Sequence, residues 1–505
     1  MDRTTDPVLL PYRHDQRLER LAAWLARDLA AAPVADPLAR EWIVIPHPGM
    51  GRWLERELAR HWGVAAALEL VLPGRLLWQL AARIAGHEGA ESPWERERLA
   101  LRIQGQLPGS GDGPDPVRWP EALQPLLRQP RAAWELAQRL ARRYEEYLLY
   151  RPDWILAWEA GARALPQEPD EAWQAALWRR LVRDSAVPHR AGMRAQALAR
   201  LVAAEPGSLA GLPARLSVFG LPALAPPQLQ LLAALGRHVD LHWYHLNPGS
   251  GWWADMRSAA ERARLRRRRA GDEDEPEPAH SLLASWGRVG RDFLQGLYGE
   301  GGFAIHELGD PEPPAAGSLL GWLQRGLWEV DPAAVAPPAL ERARESLEIR
   351  ACATALREVE VLHDDLLRAF DADPALAPHE VVVLTPDIER YGPLVDAVFG
   401  AASDERRIPW SVADRGAGGR SGLAAAFLQL LALPQSRLRA GEVLDLLRIP
   451  AIARRHGIDG DGHARAQAWV DATGVRWGLD AAFRAELELG DHGDGSWRAG
   501  LDRLW

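Results

Sequence analysis

The stretch Glu41–Leu80, EWIVIPHPGMGRWLERELARHWGVAAALELVLPGRLLWQL, decides the fold. Trp42–Ile45 is a short apolar run that proline ends, which is typical of a buried strand. Apolar residues then recur at helical spacing over Trp53–Leu58, and a second strand and a second helix follow. This order predicts an open α/β sheet, in which the loop Pro46–Gly51 lies at the carboxyl end of a strand, where such sheets bind ligands.

The basic residues limit the chemistry of that loop. The chain has 60 basic residues and every one is arginine, because no lysine occurs in the sequence. A phosphate loop of the usual NTPase type needs a lysine ammonium on the β- and γ-phosphates, and the planar arginine fork is no equivalent. The composition therefore argues against an autonomous NTPase of this type.

Length, charge and cysteine content set further bounds. A chain of 505 residues has room for two to four domains, and its single cysteine, Cys352, excludes an internal disulfide. No secretory leader and no apolar run long enough to cross a membrane is found, so we expect a soluble, cytoplasmic protein. The net charge of −9 argues against a protein that binds duplex DNA over its whole surface. It is compatible with an arginine-lined channel that binds nucleic acid locally.

Two further strands flank positions where a helicase motor would hold its nucleotide. Val8–Leu10 is predicted as the first strand, and the turn Pro11–Asp15 after it has no glycine that would let backbone N–H groups approach a phosphate. Leu216–Phe219 is predicted as another buried strand. The turn Gly220–Pro222 after it lacks the Asp-Glu pair that would hold Mg²⁺.

Residues 91–204 are predicted as a helical insertion into this α/β domain, which comprises 1–90 and 205–330. Its segment Ala141–Gly161 interleaves tyrosine and tryptophan with arginine. Such a segment can stack and neutralise a single nucleic-acid strand, at about 1–3 kcal/mol per stacked base. The alternative is ordinary helix packing with solvated arginines.

A linker is predicted over residues 331–345, followed by a second α/β unit over 346–505. Leu347–Arg350 and Val381–Leu384 are predicted as its strands, with a helix over Leu356–Phe370 between them. Before the linker, the segment Arg262–Glu277 is a basic run followed by an acidic run. It is predicted as a solvated segment on the protein surface, with a phosphate-binding patch as the alternative.

Six sequence blocks carry a resemblance to a known family. They are GMGRWL (49–54), YLLYRPDW (147–154), LLASWGRVGRDF (282–293), REVEVLHDDLL (357–367), ADRGA (413–417) and GVRWGLD (474–480). In this order they resemble the RecC family, the gamma subunit of the bacterial helicase–nuclease exodeoxyribonuclease V (RecBCD). The resemblance extends from about Val8 to Trp505 and corresponds to roughly the amino-terminal half of such a subunit.

The resemblance implies an α/β fold with degenerate, superfamily 1 helicase-like parallel sheets and a large helical insertion. It also implies a non-catalytic subunit for double-strand break repair by homologous recombination. Such a subunit splits duplex DNA, channels the 3′-ended strand and scans it for the Chi sequence. RecB-like and RecD-like partners would bind ATP and Mg²⁺ and supply the ATPase and nuclease chemistry, and no cofactor is implied for this chain.

The family's scanning residues carry over where positions match. They fall on Pro46, Pro48, Arg52, Leu72, Trp78, Arg142, Arg143, Glu145 and Arg190. Leu72, Trp78 and Arg190 keep the residue types associated with this role, although a core tryptophan is the alternative for Trp78. The two prolines, Arg52 and the arginine pair depart from the polar or acidic types, so the recognised sequence stays open.

Two other classes of function remain as alternatives at this point. One is an ATP-driven helicase or nuclease active in its own right, against which the missing lysine and metal carboxylates argue. The other is a purely structural scaffold, against which the arginine–aromatic segment and the family resemblance argue.

Overall fold

The computed structural model describes residues 7–36, 38–87, 92–107, 117–268, 280–300, 302–331, 346–413 and 422–505. The chain divides into two compact units, Met1–Glu348 and Ile349–Trp505. Most of the predicted linker and the whole acidic half of the charge block lie outside the described residues.

The first unit is built on a parallel sheet of six strands in the order β3-β2-β4-β5-β1-β6. The strands are β1 Val8–Asp15, β2 Glu41–Val44, β3 Leu68–Val71, β4 Arg215–Phe219, β5 Asp240–Leu246 and β6 Phe303–Glu307. The central strand β4 is buried along its whole length, as expected for a parallel strand covered on both faces. The α/β class predicted from the sequence is confirmed.

Helices cover both faces of this sheet. The helices outside the insertion are α1 Leu18–Ala31, α2 Pro48–Trp62, α3 Pro73–Ala85, α10 Pro226–Leu235, α11 Ala259–Arg268, α12 Ser281–Trp286, α13 Arg288–Gln295 and α14 Leu319–Trp328. Helices α1 and α2 pack on one face, around Ile43, Leu54 and Phe219. Helices α3 and α10 pack on the other face, around Val44 and Trp243. Connections that run in opposite directions along the sheet therefore lie on opposite faces, as right-handed crossovers require.

A group of helices with its own core follows α3 in the chain. It comprises α4 Arg96–Gln104, α5 Gln124–Leu127, α6 Pro130–Tyr150, α7 Pro152–Glu159, α8 Glu171–Arg183 and α9 Arg190–Ala203. The core contains four tryptophans, Trp94, Trp158, Trp173 and Trp178. Helix α9 joins this group to the sheet, since Ala191 lies in the helical core whereas Ala197 and Leu201 lie in the sheet core.

The second unit is helical in its described part. Its helices are α15 Ala355–Ala372, α16 Ile388–Gly400, α17 Gly422–Ala432, α18 Ala440–Arg448, α19 Pro450–Arg455, α20 Gly460–Thr473, α21 Ala481–Glu486 and α22 Trp497–Leu504. Two small apolar clusters hold it, one around Phe399 between α15 and α16 and one around Val470 and Val475. Of the helices that the structure describes, none is long and apolar enough to cross a membrane.

The structure corrects the strands predicted for this region. Neither 347–350 nor 381–384 forms a strand, and Ile349 and Leu384 are each 90% exposed. A strand needs a neighbour for its backbone hydrogen bonds. Within the described residues no segment pairs with either one.

The predicted turn at Pro11–Asp15 is also wrong, because β1 continues to Asp15. Its residues pair with β5 and β6, and Leu10, Tyr12 and His14 alternate into the interior. The connection to α1 is therefore only Gln16-Arg17.

Candidate nucleic-acid interface

A buried carboxylate lies at the carboxyl end of β1, where a motor domain would bind a phosphate. Asp15 is the last residue of this strand and is completely buried. Its Oδ1 accepts a hydrogen bond from the backbone N–H of Arg17 at 2.8 Å, immediately before α1. The Asp15 carboxylate thus takes a backbone donor at the helix start that would otherwise be available to a bound anion.

Arginine compensates this buried charge. Arg20, on the first turn of α1, places its Nε 3.0 Å from Oδ2 of Asp15, as an ion pair rather than a well-aligned hydrogen bond. Its Nη1 lies 2.5 Å from Glu312, and Arg17 contacts the same glutamate at 3.0 Å. Two carboxylates therefore neutralise the arginines beside this turn, and the local field does not favour a further anion.

The end of β4, which β5 separates from β1 in the sheet, offers no metal ligand either. Gly220 follows β4 with a φ of +62°, and its N–H donates to the carbonyl of Tyr244 at 2.8 Å. Leu221, which follows it, packs in the sheet core. Across the described residues, no group of three or more His, Cys, Asp or Glu side chains is placed to hold a metal ion.

The loops after β2 and β3 bring three of the candidate scanning residues to one edge of the sheet. The two strands are neighbours, and the N–H of Ile45 donates to the carbonyl of Val71 at 2.9 Å. Pro46 follows Ile45 and Leu72 follows Val71, so these two candidates lie in adjacent loops, and Pro48 begins α2. Leu72 is 37% exposed, so an apolar side chain faces solvent at this edge.

His47 fixes the start of α2 between the two prolines. Its Nδ1 accepts from the N–H of Met50 at 3.2 Å, which caps the helix. Arg52 is the fifth residue of this helix and is exposed. Within the described part of the chain no ion pair is found for it, so its guanidinium remains available to a ligand.

Trp78 and Arg190 form a second contact. The guanidinium carbon of Arg190 lies 5.7 Å from the centroid of the Trp78 ring. Trp78 is half-buried and Arg190 exposed, so the pair forms an arginine–aromatic surface between α3 and α9. A cationic side chain over an indole ring is a typical partner for a nucleobase or a phosphate.

His189 sets the position of Arg190, which follows it in the chain. The sequence alone did not reveal this role of His189. His189 is buried, its Nε2 lies 2.5 Å from Glu159 and its Nδ1 accepts from the N–H of Gly192 at 3.1 Å. Burial acts to raise the pKa of Glu159, but hydrogen bonds from His189 and Trp178 outweigh it and the pKa is lowered. The only local sequence signal is a histidine three residues before a glycine.

The charged candidates on α6 are engaged with neighbouring side chains. Arg142 and Arg143 both contact Glu146, at 3.3 and 2.8 Å. Glu145 pairs with Arg96 of α4 at 2.7 Å. No hydrogen bond or ion pair in the described structure joins these three candidates to Pro46, Trp78 or the other candidates, so α6 forms a separate group.

The aromatic residues of the same segment serve mainly the helical core. Tyr144 is 1% exposed and donates to the carbonyl of Gln174 at 2.8 Å, and burial raises its pKa well above the usual value. Trp158 is 2% exposed and donates to Glu171 at 2.9 Å. Tyr147 packs between Trp154 and Trp158. Ordinary helix packing is therefore confirmed for these side chains, whereas Tyr150 is 56% exposed.

The fold is a helicase-like, doubly wound α/β domain in which Asp15 and Arg20 lie at the turn between β1 and α1. A sequence model described as the RecC N-terminal domain matches residues 10–329, and one described as the RecBCD enzyme subunit RecC fourth domain matches 420–505. The chain belongs to the RecC family.

Curated relatives agree over nearly the whole chain. The RecBCD enzyme subunit RecC of Escherichia coli is 32% identical over 98% of this chain and 47% of its own length. The subunit of Haemophilus influenzae is 31% identical over 97% of this chain, and that of Mycolicibacterium smegmatis is 31% identical over 97%. The chain spans about half the length of these relatives.

Proposed function

We propose that this chain is the DNA-handling half of a non-catalytic subunit in a RecBCD-type helicase–nuclease. In this role it splits the duplex during double-strand break repair by homologous recombination. It guides the 3′-ended strand over the edge formed by Pro46, Pro48, Arg52 and Leu72 and past the Trp78–Arg190 pair, and it scans the strand for a Chi-like sequence. The observation that carries the non-catalytic part is the buried Asp15 carboxylate at the phosphate position.

Electrostatics supports that assignment. A nucleotide phosphate brought to the start of α1 would have to compete with Asp15 and Glu312 for Arg17 and Arg20, and the chain has no lysine to pair with it. ATP and Mg²⁺ are therefore assigned to RecB-like and RecD-like partners in the cytoplasm.

An exposed apolar patch supports the assignment to a complex. Trp286 at the end of α12 is 82% exposed and Val289 at the start of α13 is 61% exposed. Both belong to the block LLASWGRVGRDF, which is among the blocks that resemble the family. Large apolar side chains exposed together are typical of protein interfaces.

ATP turnover tests the non-catalytic role. The purified chain, with and without single-stranded DNA, is expected to hydrolyse no ATP, and the same preparation mixed with RecB-like and RecD-like partners is expected to yield an active complex. DNA-stimulated hydrolysis by the chain alone would refute the proposal and favour an autonomous motor. A chain that neither joins the partners nor affects their DNA processing would refute the subunit role.

A scaffold role is a second candidate for the helical insertion alone. Arg142, Arg143 and Glu145 are engaged in ion pairs, and Tyr144 and Trp158 are core residues. If Arg142→Ala and Arg143→Ala leave strand binding by the complex unchanged, the insertion supports α9 and does not contact the strand itself.

A further inference from the structure

The second unit contains a cavity of about 390 Å³ whose lining is basic and aromatic. Three arginines, Arg437, Arg439 and Arg476, line it together with Trp477, against a single aspartate, Asp471. All three arginines are exposed, and among the described residues no ion pair to a carboxylate is found for their guanidinium groups, although the backbone N–H of Arg439 donates to Glu442 at 3.3 Å. The lining therefore carries an excess of positive charge around an indole ring.

Backbone pairing brings these side chains together. The N–H of Ala440 donates to the carbonyl of Arg476 at 2.9 Å, and the N–H of Gly478 donates to the carbonyl of Arg437 at 2.9 Å. The segments 437–440 and 476–478 thus run antiparallel to each other. The indole of Trp497 also donates to the carbonyl of Leu438 at 2.8 Å. The arginines therefore project from a fixed backbone rather than from a loose loop.

The segment between the first two arginines has an unusual conformation. Leu438 has a φ of +50°, in the left-handed region that a leucine rarely adopts. Such a conformation persists only where the surrounding contacts impose it, and it is often found at binding sites. Here it separates Arg437 from Arg439 at the rim of the cavity.

Arg484 supports the aromatic side of the cavity. Its guanidinium carbon lies 4.2 Å from the centroid of the Trp477 ring, and its Nη2 donates to the Trp477 carbonyl at 2.8 Å. Gly478, next in the chain, has a φ of +81°, and a Cβ there would lie 3.0 Å from Nε of Arg484. The block GVRWGLD (474–480) thus places one lining arginine and a fixed tryptophan in sequence, and its second glycine leaves room for the arginine that holds the ring.

We propose that this cavity binds one or two phosphodiester groups of a single-stranded nucleic acid, with a base against Trp477. Arginine forks match phosphate oxygens, and an indole stacks on a base without regard to its sequence. The site lies in the second unit and shares no residue with the edge assigned above, so it does not depend on the scanning proposal.

Photo-crosslinking to the full 505-residue chain tests the proposal. The probe is an oligothymidylate octamer with one 5-iodo-deoxyuridine, and peptide mass spectrometry locates the crosslink. We expect a crosslink at Trp477 that Arg437→Ala/Arg439→Ala largely abolishes. The control Arg454→Ala/Arg455→Ala removes the same charge from two exposed arginines of α19 outside the cavity and should leave the crosslink intact.

Salt dependence and competitors give the second readout. Loss of two phosphate contacts should reduce the slope of log K against log salt for octamer binding by about 1.4. Unlabelled octamer should displace the probe better than inorganic tripolyphosphate or a duplex of the same length does. No crosslink at Trp477, or an equal crosslink in Arg437→Ala/Arg439→Ala, would overturn the site. Equal displacement by tripolyphosphate or by duplex would overturn its assignment to a single strand.

Discussion

Arg52→Ala provides the sharpest test of sequence reading at the edge of the sheet. Arg52, the fifth residue of α2, is exposed, and in the described part of the chain no ion pair is found for it. If its guanidinium contacts a base, the substitution removes about 1–3 kcal/mol of binding free energy at one position of the recognised sequence. This corresponds to a loss of about 5- to 150-fold in preference for that base. If it contacts only phosphate, binding weakens equally for all sequences and the salt slope falls by about 0.7.

Arg142→Ala should behave differently because of its local pairing. Arg142 and Arg143 share Glu146, and an exposed pair of this kind is worth only about 0–1 kcal/mol. Its removal leaves Arg143 paired with Glu146, so the net charge that a strand would meet falls by one. We expect a small effect, uniform across sequences.

Both variants can be compared in one assay. The complex reconstituted with its partner subunits is allowed to process a randomised DNA library, and the pause sites are mapped by sequencing. Arg56→Ala, one turn further along α2, and Arg139→Ala, on α6, are the matched controls. If Arg52→Ala has the same pause map as the parent and the Arg56→Ala control, Arg52 does not read bases and this part of the reasoning is refuted.

Three further predictions concern stability and positioning. Asp15→Ala should lower the free energy of unfolding of the first unit by about 2–3 kcal/mol, since a hydrogen bond to a charged group contributes about 1.5–3 kcal/mol. Asp15→Asn should lower it less. Thermal unfolding would contradict this prediction if both variants unfolded at the same temperature as the parent. Burial, with a smaller effect of a neighbouring histidine, lowers the pKa of His245 to about 3. Between pH 6.5 and about 3 the unfolded chain binds a proton at His245 that the folded chain does not. The free energy of unfolding should therefore fall by up to about 1.4 kcal/mol per pH unit from pH 6.5 towards 3. In His245→Gln, unfolding measured at several pH values should show a weaker dependence of this free energy on pH. Glu159→Ala should release His189 and loosen the start of α9, which hydrogen exchange at Gly192 would detect as faster exchange; unchanged exchange would show that Glu159 does not hold this turn.

The sheet of the first unit was predictable where apolar runs are continuous. The strands predicted at 42–45 and 216–219 are found within one residue, as β2 at 41–44 and β4 at 215–219, and β4 is buried throughout because both faces of a central parallel strand are covered. The extension of β1 to Asp15 also had a signal, since Leu10, Tyr12 and His14 alternate with a period of two. A turn was nevertheless predicted over Pro11–Asp15, because a motor domain has its phosphate-binding loop at this position. The edge strand β6, with the short sequence FAIHE, carries too weak a pattern to be recognised.

The segments 347–350 and 381–384 show a limit of pattern reading. An apolar run records a tendency to be buried, but the strand state also depends on a neighbouring strand that the local sequence does not specify. At the candidate site the pairing of Arg142 with Glu146 was readable from its i,i+4 spacing. The Trp78–Arg190 contact was not, because it joins residues that only the packing of α3 on α9 brings together.

Asp15 connects the proposed non-catalytic role to the proposed reading of a strand. In a motor the backbone donor at the start of α1 is satisfied only when a phosphate binds, so the domain alternates between two states. In this chain the Asp15 carboxylate makes the contact permanently, and Arg20, which also pairs with Glu312, compensates its charge. Nothing at this position can then be gained or lost during a nucleotide cycle. The sheet edge that carries Pro46, Pro48, Arg52 and Leu72 is therefore expected to stay in one conformation, and side chains held at fixed positions discriminate between the bases of a moving strand better than side chains that shift at each step.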